Sequence, residues 1–358
     1  MRCTVALALL PLLSGCSSVA YYWQGMRGEV ELLQHAESIP AVIAATSDPL
    51  LKSKLERAVA IRDFASRELA LPDNESYRKY SDVGRRYVLW NVVATPELSL
   101  EPRQWCFPVA GCVNYRGYFD ETAAKDEAAK ITSGGGDAHI GGVPAFSTLG
   151  YFNDPILSTF IRYPDPELAR LIFHELAHQV AYAKDDSVFN ESFAVAVEEE
   201  GLARWLAAQN DPSLAAYFAA SQRSRDGFRE LVTRTRTRLA ALYASDATDA
   251  AKREGKAAAF AAMRADYEAF KRERGGLAGY DAWFAQGPNN ASLAAVALYS
   301  RKVPEFRALL AAEGGDLPRF YARVKELAAQ PKAEREAALA AAASRSAAVA
   351  RPAPGAVQ

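Results

Sequence analysis

Two histidines four residues apart, with a glutamate beside the first, stand out in LIFHELAHQ, residues 171–179. The chain has only four histidines, and this segment holds two of them, His174 and His178. Residues four apart share one face of an α-helix, so both imidazoles can reach a single cation. A zinc ion takes histidine nitrogens at about 2.0–2.1 Å in a tetrahedral arrangement. Glu175 then projects beside the metal. A carboxylate there can take a proton from a water on the metal and pass it to a leaving amine. A catalytic zinc keeps one position open for water, so a third protein ligand is required.

The two remaining histidines are poor candidates for that ligand, His35 lying far upstream and His139 in a glycine-rich stretch. Glu191 in FNESFA (189–194) is a better one. There an Asn-Glu pair opens a second helix after a short loop containing Asp and Ser, and an antiparallel return would bring Glu191 to the histidine face. Glu198 shares a face with Glu191 and is the alternative, as a partner to a ligand or as the ligand itself. The Glu198–Glu200 run also reads as a solvated acidic surface.

The first segment matches the H-E-x-x-H pattern of zinc metallopeptidases. Glu191 follows it after twelve residues and resembles the N-E-x-x-A/S element that supplies the glutamate ligand in gluzincin (thermolysin-like) peptidases, where the gap is longer. With STLGYFNDPILSTF (147–160) and WCFPVAGCVNYRGYF (105–119), these segments resemble the predicted zinc aminopeptidase family of proteobacterial lipoproteins. The resemblance runs to about residue 310 and leaves the Ala-rich C-terminal tail outside. It implies a Zn²⁺ cofactor, a peptide substrate and an aminopeptidase activity. An endopeptidase is the alternative within that chemistry. A non-catalytic envelope lipoprotein that binds metal or a partner is the other, and the retained Glu175 counts against it. In gluzincins an extended strand pairs with the substrate backbone, and Gly141–Thr148 is placed to be that strand. Pro144 would confine it to a sheet edge. Tyr115, Tyr118, Tyr151 and Tyr182 are candidate oxyanion donors. Asp154 either meets a substrate amino group or caps a turn before Pro155, and the turn is the simpler role.

Several elements must position these groups. Asp165 as N-cap and Pro166 at the first helical position predict the start of the metal helix, and Lys184 with Asp185-Asp186 its end. Leu168, Leu171, Ile172, Leu176 and Val180 give it an apolar face. Upstream, residues 17–80 read as helical, interrupted at Pro40, Pro49 and Pro72. Residues 85–160 bear the sheet: YVLWNVVA and VNYRGYF read as strands around a Pro/Gly turn, and 139–149 as another. Residues 120–130 read as a solvent-facing helix and 133–137 as a loop. Residues 165–210 carry the zinc-binding helices, 213–345 are helical, and 346–358 read as a disordered tail. The expected class is α+β: a zincin-like metallopeptidase with a small mixed sheet and a mostly helical C-terminal half, spanning 16–345.

Charge and the N-terminus bound the partners. The 358 residues carry 42 Lys+Arg against 43 Asp+Glu, so no basic excess exists to neutralise phosphates, and nucleic acid is not expected. Residues 1–15 have a charged start and a nine-residue apolar run, too short to span a bilayer and suited to a signal peptide. Leu13-Ser14-Gly15-Cys16 resembles the bacterial lipobox, which predicts acylation of Cys16 and a periplasm-facing protein anchored to the membrane. Ser17 suggests the outer membrane. A plain secretory signal is the alternative. Cys106 and Cys112 are then the two remaining thiols and could pair in an oxidising compartment, or stay free and buried.

Overall fold

The computed structural model describes residues 11–107, 111–273 and 279–350. Residues 1–10 of the expected leader, 108–110 of the expected turn and 351–358 of the expected tail lie outside them. Four elements open the described residues: α1 (Pro11–Gln34), β1 (Glu37–Ser38), α2 (Ile39–Ala45) and α3 (Pro49–Leu69). The last starts where Asp48 accepts hydrogen bonds from the backbone N–H groups of Leu50 and Leu51, with Pro49 at its first position. Leu55, Ala58, Ile61, Ala65 and Leu69 recur every three or four residues along it and are all fully buried.

The strand-bearing region holds β2 (Lys79–Ser81), β3 (Leu89–Pro96), β4 (Trp105–Phe107), β5 (Gly111–Val113), β6 (Arg116–Tyr118), α4 (Glu121–Ser133), β7 (Gly136–Val143) and β8 (Ile156–Leu157). Among the described residues the strands form three small sheets rather than one. In the largest, β3 lies between β6 and β7 with both pairings antiparallel, Trp90 standing opposite Tyr118 on one side and Gly142 on the other. Only the β1-β2-β8 sheet is mixed, its β2–β8 pair being parallel. The expected 133–137 loop shrinks to a two-residue turn because Gly135 takes a left-handed φ of 81°, which leaves Gly136 free to start β7. That strand ends at Val143, six residues short of expectation, where Pro144 removes the next backbone donor.

Nine helices follow among the described residues: α5 (Asp165–His178), α6 (Ser187–Gln209), α7 (Pro212–Ala244), α8 (Asp249–Glu273), α9 (Asp281–Ala285), α10 (Asn290–Ser300), α11 (Val303–Ala312), α12 (Leu317–Ala328) and α13 (Lys332–Ala350). The last extends five residues into the stretch expected to be a disordered tail. Together the elements make an α+β fold with helices predominating after residue 165. One continuous core joins α3, α5, α6 and α11–α13 through Phe173, Phe193, Phe306 and Phe320. A separate core joins α7 to α8 through Leu231, Leu239, Met263 and Tyr267. Gly201 permits the close approach of α6: a Cβ there would lie 2.7 Å from Leu69 and 3.0 Å from the Phe173 ring. No helix among the described residues is long and apolar enough to cross a membrane.

Both ends of α5 differ from the sequence expectation. Pro164, not Asp165, occupies the N-cap position. Asp165 is already helical and instead pairs with Lys54 at 2.6 Å and Arg57 at 3.0 Å. The helix ends at His178, well before Lys184. Beyond it, the Asn190 side chain takes both backbone groups of Ala183, accepting from its N–H at 2.7 Å and donating to its carbonyl at 2.9 Å. Those groups are therefore satisfied without further helical turns, and the chain reverses into α6.

Candidate metal centre

Helix α5 buries Leu168, Ile172 and Leu176 completely, and Phe173 with them, which leaves His174 and His178 on the face toward α6. The second helix runs back along the first. Glu198 meets His174, and one turn from the start of α6 Glu191 reaches both histidines. Asp186 caps α6 by accepting from the Phe189 N–H at 3.1 Å, so the helix begins three residues before the expected Asn-Glu pair.

Three atoms close a triangle. His178 Nε2 lies 3.2 Å from His174 Nε2, and Glu191 Oε2 lies 3.4 Å from the first imidazole and 3.6 Å from the second. Ligands at about 2.0–2.1 Å from a tetrahedral ion stand roughly 3.3–3.4 Å apart, so the three separations match three edges of such a site. The group is the one His/Cys/Asp/Glu cluster among the described residues that could hold a metal ion.

The hydrogen bonds point the same way. Glu198 Oε2 lies 2.7 Å from His174 Nδ1 and can only accept there, so neutral His174 carries its proton on Nδ1 and turns the Nε2 lone pair to Glu191. A lone pair facing a carboxylate across 3.4 Å in a buried site needs a cation between them. In the metal-free chain a proton serves: burial opposes the charge on His174, but hydrogen bonds to Glu191 and Glu198 carry its pKa up to about 10. Glu191 is driven down to about 2 against its own burial, first by His178 and then by His174. Glu198 is likewise held at about 2, first by Arg170, whose Nη1 donates to Oε1 at 2.8 Å. Glu198 is thus the partner that orients His174, not a member of the triangle.

Glu175 is 8% exposed. Burial raises its pKa, partly offset by His174 and His178, while Glu191 and Asp154 push it further up. The four candidate tyrosines separate. Tyr151 is 74% exposed, and Tyr118 packs edge-on against Tyr21 beneath Arg116. Tyr115 feels burial first and then Glu191, Tyr182 and Glu175, which hold its phenol protonated; Tyr182 is shifted upward by burial, then Glu191. Sequence reasoning missed Tyr299 on α10, whose ring centroid lies 6.3 Å from that of His174 and whose pKa is raised first by Glu191. Nothing local marks it, because α10 is placed by its caps and its packing. Arg170 was also missed, although its position four residues before His174 on the same helical face was a usable signal.

Asp154 closes the expected turn, its two oxygens taking the Thr148 N–H at 2.9 Å and the Thr148 hydroxyl at 2.8 Å. Burial raises it to about 6. Glu29 of α1 is raised to about 7 by burial and by Asp154, which in turn acts on Glu175. Of the expected substrate strand, Gly141–Val143 belong to β7, which is the edge of its sheet. Cys106 and Cys112 form a disulfide across the β4–β5 hairpin. The Cys112 N–H donates to Asp185 at 2.5 Å, which ties the hairpin, and Tyr115 after it, to the loop before α6.

No curated protein and no solved structure matches the chain significantly. The profile of one family, described as "Putative aminopeptidase", matches residues 20–339. It takes in the whole triangle, Glu175 and Glu198, and it runs past residue 310, where the resemblance was expected to end, through α12 into α13. On a match covering most of its length, the chain belongs to this aminopeptidase family.

Proposed function

We propose that the chain is a zinc-dependent peptidase of zincin-like fold that removes residues from free N-termini, held at the cell envelope through a lipid on Cys16. The observation that carries the metal is the triangle of His174, His178 and Glu191, with edges of 3.2, 3.4 and 3.6 Å. Two nitrogens and one carboxylate form a donor set of the kind that catalytic zinc sites use. When bound there, zinc would polarise the scissile carbonyl and make an attacking water more acidic.

The protein's own groups divide the remaining work. Glu175, buried and raised, accepts the water's proton and delivers it to the leaving amine. Glu198 fixes the His174 tautomer, and Arg170 fixes Glu198. Tyr115 and Tyr299 stay protonated and can donate to the developing oxyanion. The edge of β7 at Gly141–Val143, beyond Ala138 whose carbonyl accepts from Asn289, suits pairing with an extended peptide. Glu29 and Asp154 favour an exopeptidase. They are carboxylates raised by burial, Glu29 also by Asp154, which acts in turn on Glu175, and no cation contributes to either shift, so a substrate α-ammonium would favour their ionised forms and be held by them.

Elemental analysis of purified protein should give one zinc per chain, lost in His174→Ala/His178→Ala. Glu175→Gln should keep the metal and lose about 10²–10⁴-fold in hydrolysis, the usual contribution of general acid–base catalysis. Full zinc in the double histidine variant, or wild-type rates in Glu175→Gln, would refute the proposal. Equal cleavage of acetylated and free peptides would make the enzyme an endopeptidase.

A further inference from the structure

The first turn of α6 carries Glu191, and its cap depends on a residue far away in sequence. Arg335, at the start of α13, is 3% exposed, as is Asp186. Its Nη2 and Nε donate to Asp186 Oδ2 at 2.9 and 3.3 Å. The other Asp186 oxygen caps the helix at the Phe189 N–H. Arg335 Nη1 donates to the carbonyls of Gln330 at 2.8 Å and Ala328 at 3.4 Å, and the guanidinium lies 5.0 Å over the Phe189 ring. The cation therefore holds both the cap and the residue that the cap engages.

We infer that Arg335 is a positioning residue for the metal ligand Glu191, acting through Asp186. This rests on the metal reading given above. The body of α6 is secured independently: Phe193, Ala194, Val197 and Leu202 are buried in the main core, and Ser192 accepts from the Lys302 N–H. The first turn is held by Phe189 packed on Phe306, by the Asn114 N–H on the Ser187 hydroxyl and by the Asn190–Ala183 clamp. The capped Asp186 is the polar tie that fixes its leading N–H groups, and the turn's rotation about the helix axis decides whether Glu191 Oε2 stays 3.4–3.6 Å from the two histidines. Without Arg335, Asp186 would be a buried charge with no counter-ion and would turn toward water, taking its cap bond with it. A helix cap then becomes part of a metal site, and the C-terminal helix becomes necessary to it.

The test is zinc affinity measured by competition with a chromogenic chelator, alongside the melting temperature of the metal-free protein. Arg335→Met should weaken zinc by about 10–100-fold, the usual cost of disturbing a ligand's supporting group. Arg335→Lys, which keeps the charge but not the fork or the stacking, should fall between it and the wild type. Arg335→Met with Asp186→Ser restores a neutral cap without a buried charge and should return affinity to within a few-fold of wild type. This pair keeps the test available if Arg335→Met alone does not fold. A lower melting temperature with unchanged zinc affinity would make Arg335 a structural tie only and overturn the inference. Failure of the double variant to recover affinity would overturn the route through Asp186. Absence of zinc binding by the wild type would refute the metal reading instead.

Discussion

Glu198→Gln is the substitution whose effect the structure specifies most closely. The carboxylate accepts from His174 Nδ1 at 2.7 Å with one oxygen and from Arg170 Nη1 at 2.8 Å with the other, and it is 4% exposed. Glutamine has one acceptor and one donor in the same space. If its oxygen faces His174, its amide opposes an Arg170 donor. If the amide faces His174, the imidazole must shift its proton to Nε2, the atom in the triangle. Either arrangement loses a hydrogen bond to a charged group, worth about 1.5–3 kcal/mol, and the imidazole becomes a weaker base. Zinc affinity should fall about 10–100-fold, or roughly 1.4–2.7 kcal/mol. Chelator competition at fixed pH measures it. Glu199→Gln serves as the control, since Glu199 pairs with Arg229 and Arg307 away from the triangle. A dissociation constant within twofold of wild type would show that Glu198 does not orient the ligand.

Three further outcomes are expected. The Glu29 pKa is raised in the folded chain to about 7. Its proton therefore stabilises the fold fully below the unfolded value of about 4.3, and that contribution is lost as pH climbs to about 7. Glu29→Gln should gain on the wild type across that window by no more than about 3 kcal/mol, and an equal stability difference at pH 5 and pH 8 by chemical denaturation would refute this. Cys106→Ser/Cys112→Ser should lose about 2 kcal/mol, the loop-closure entropy of so short a ring, and should slow peptide hydrolysis by loosening Tyr115. Unchanged melting temperature and rate would separate the hairpin from the site. Cys16→Ser should abolish membrane partition and the acyl mass of the protein, and unaltered partition and mass would remove the lipid anchor from the proposal.

The metal helix and its partner were legible because their chemistry is local. His174 and His178 recur at the helical period, and Glu191 lies a short loop and one turn away, so chain connectivity limits where it can go. The disulfide pairing and the Asp154 turn were readable for the same reason. The ends of α5 were not. Asp165 looked like a cap until α3 supplied Lys54 and Arg57 to bind it, and the stop at His178 depends on Asn190 reaching back to Ala183.

Long-range partners are what only the tertiary structure decided. Glu198 stood behind Glu191 as an alternative ligand or a support, with a solvated charge the commoner reading, because nothing in its neighbours reveals that it is 4% exposed against His174. Tyr299 and Arg335 belong to helices with no motif of their own, and packing places those helices, α10 through Ala291 and Ala294 against Val93 of β3 and α13 through Leu339 and Ala342 in the main core. Helical periodicity says which face of an element is apolar, but not which distant element will cover it. The sequence by itself thus determined the two histidines, the base and one carboxylate within reach. Burial decided their tautomer, their charges and the remote residues that hold them, since hydrogen-bond and charge energies depend on the water that packing removes.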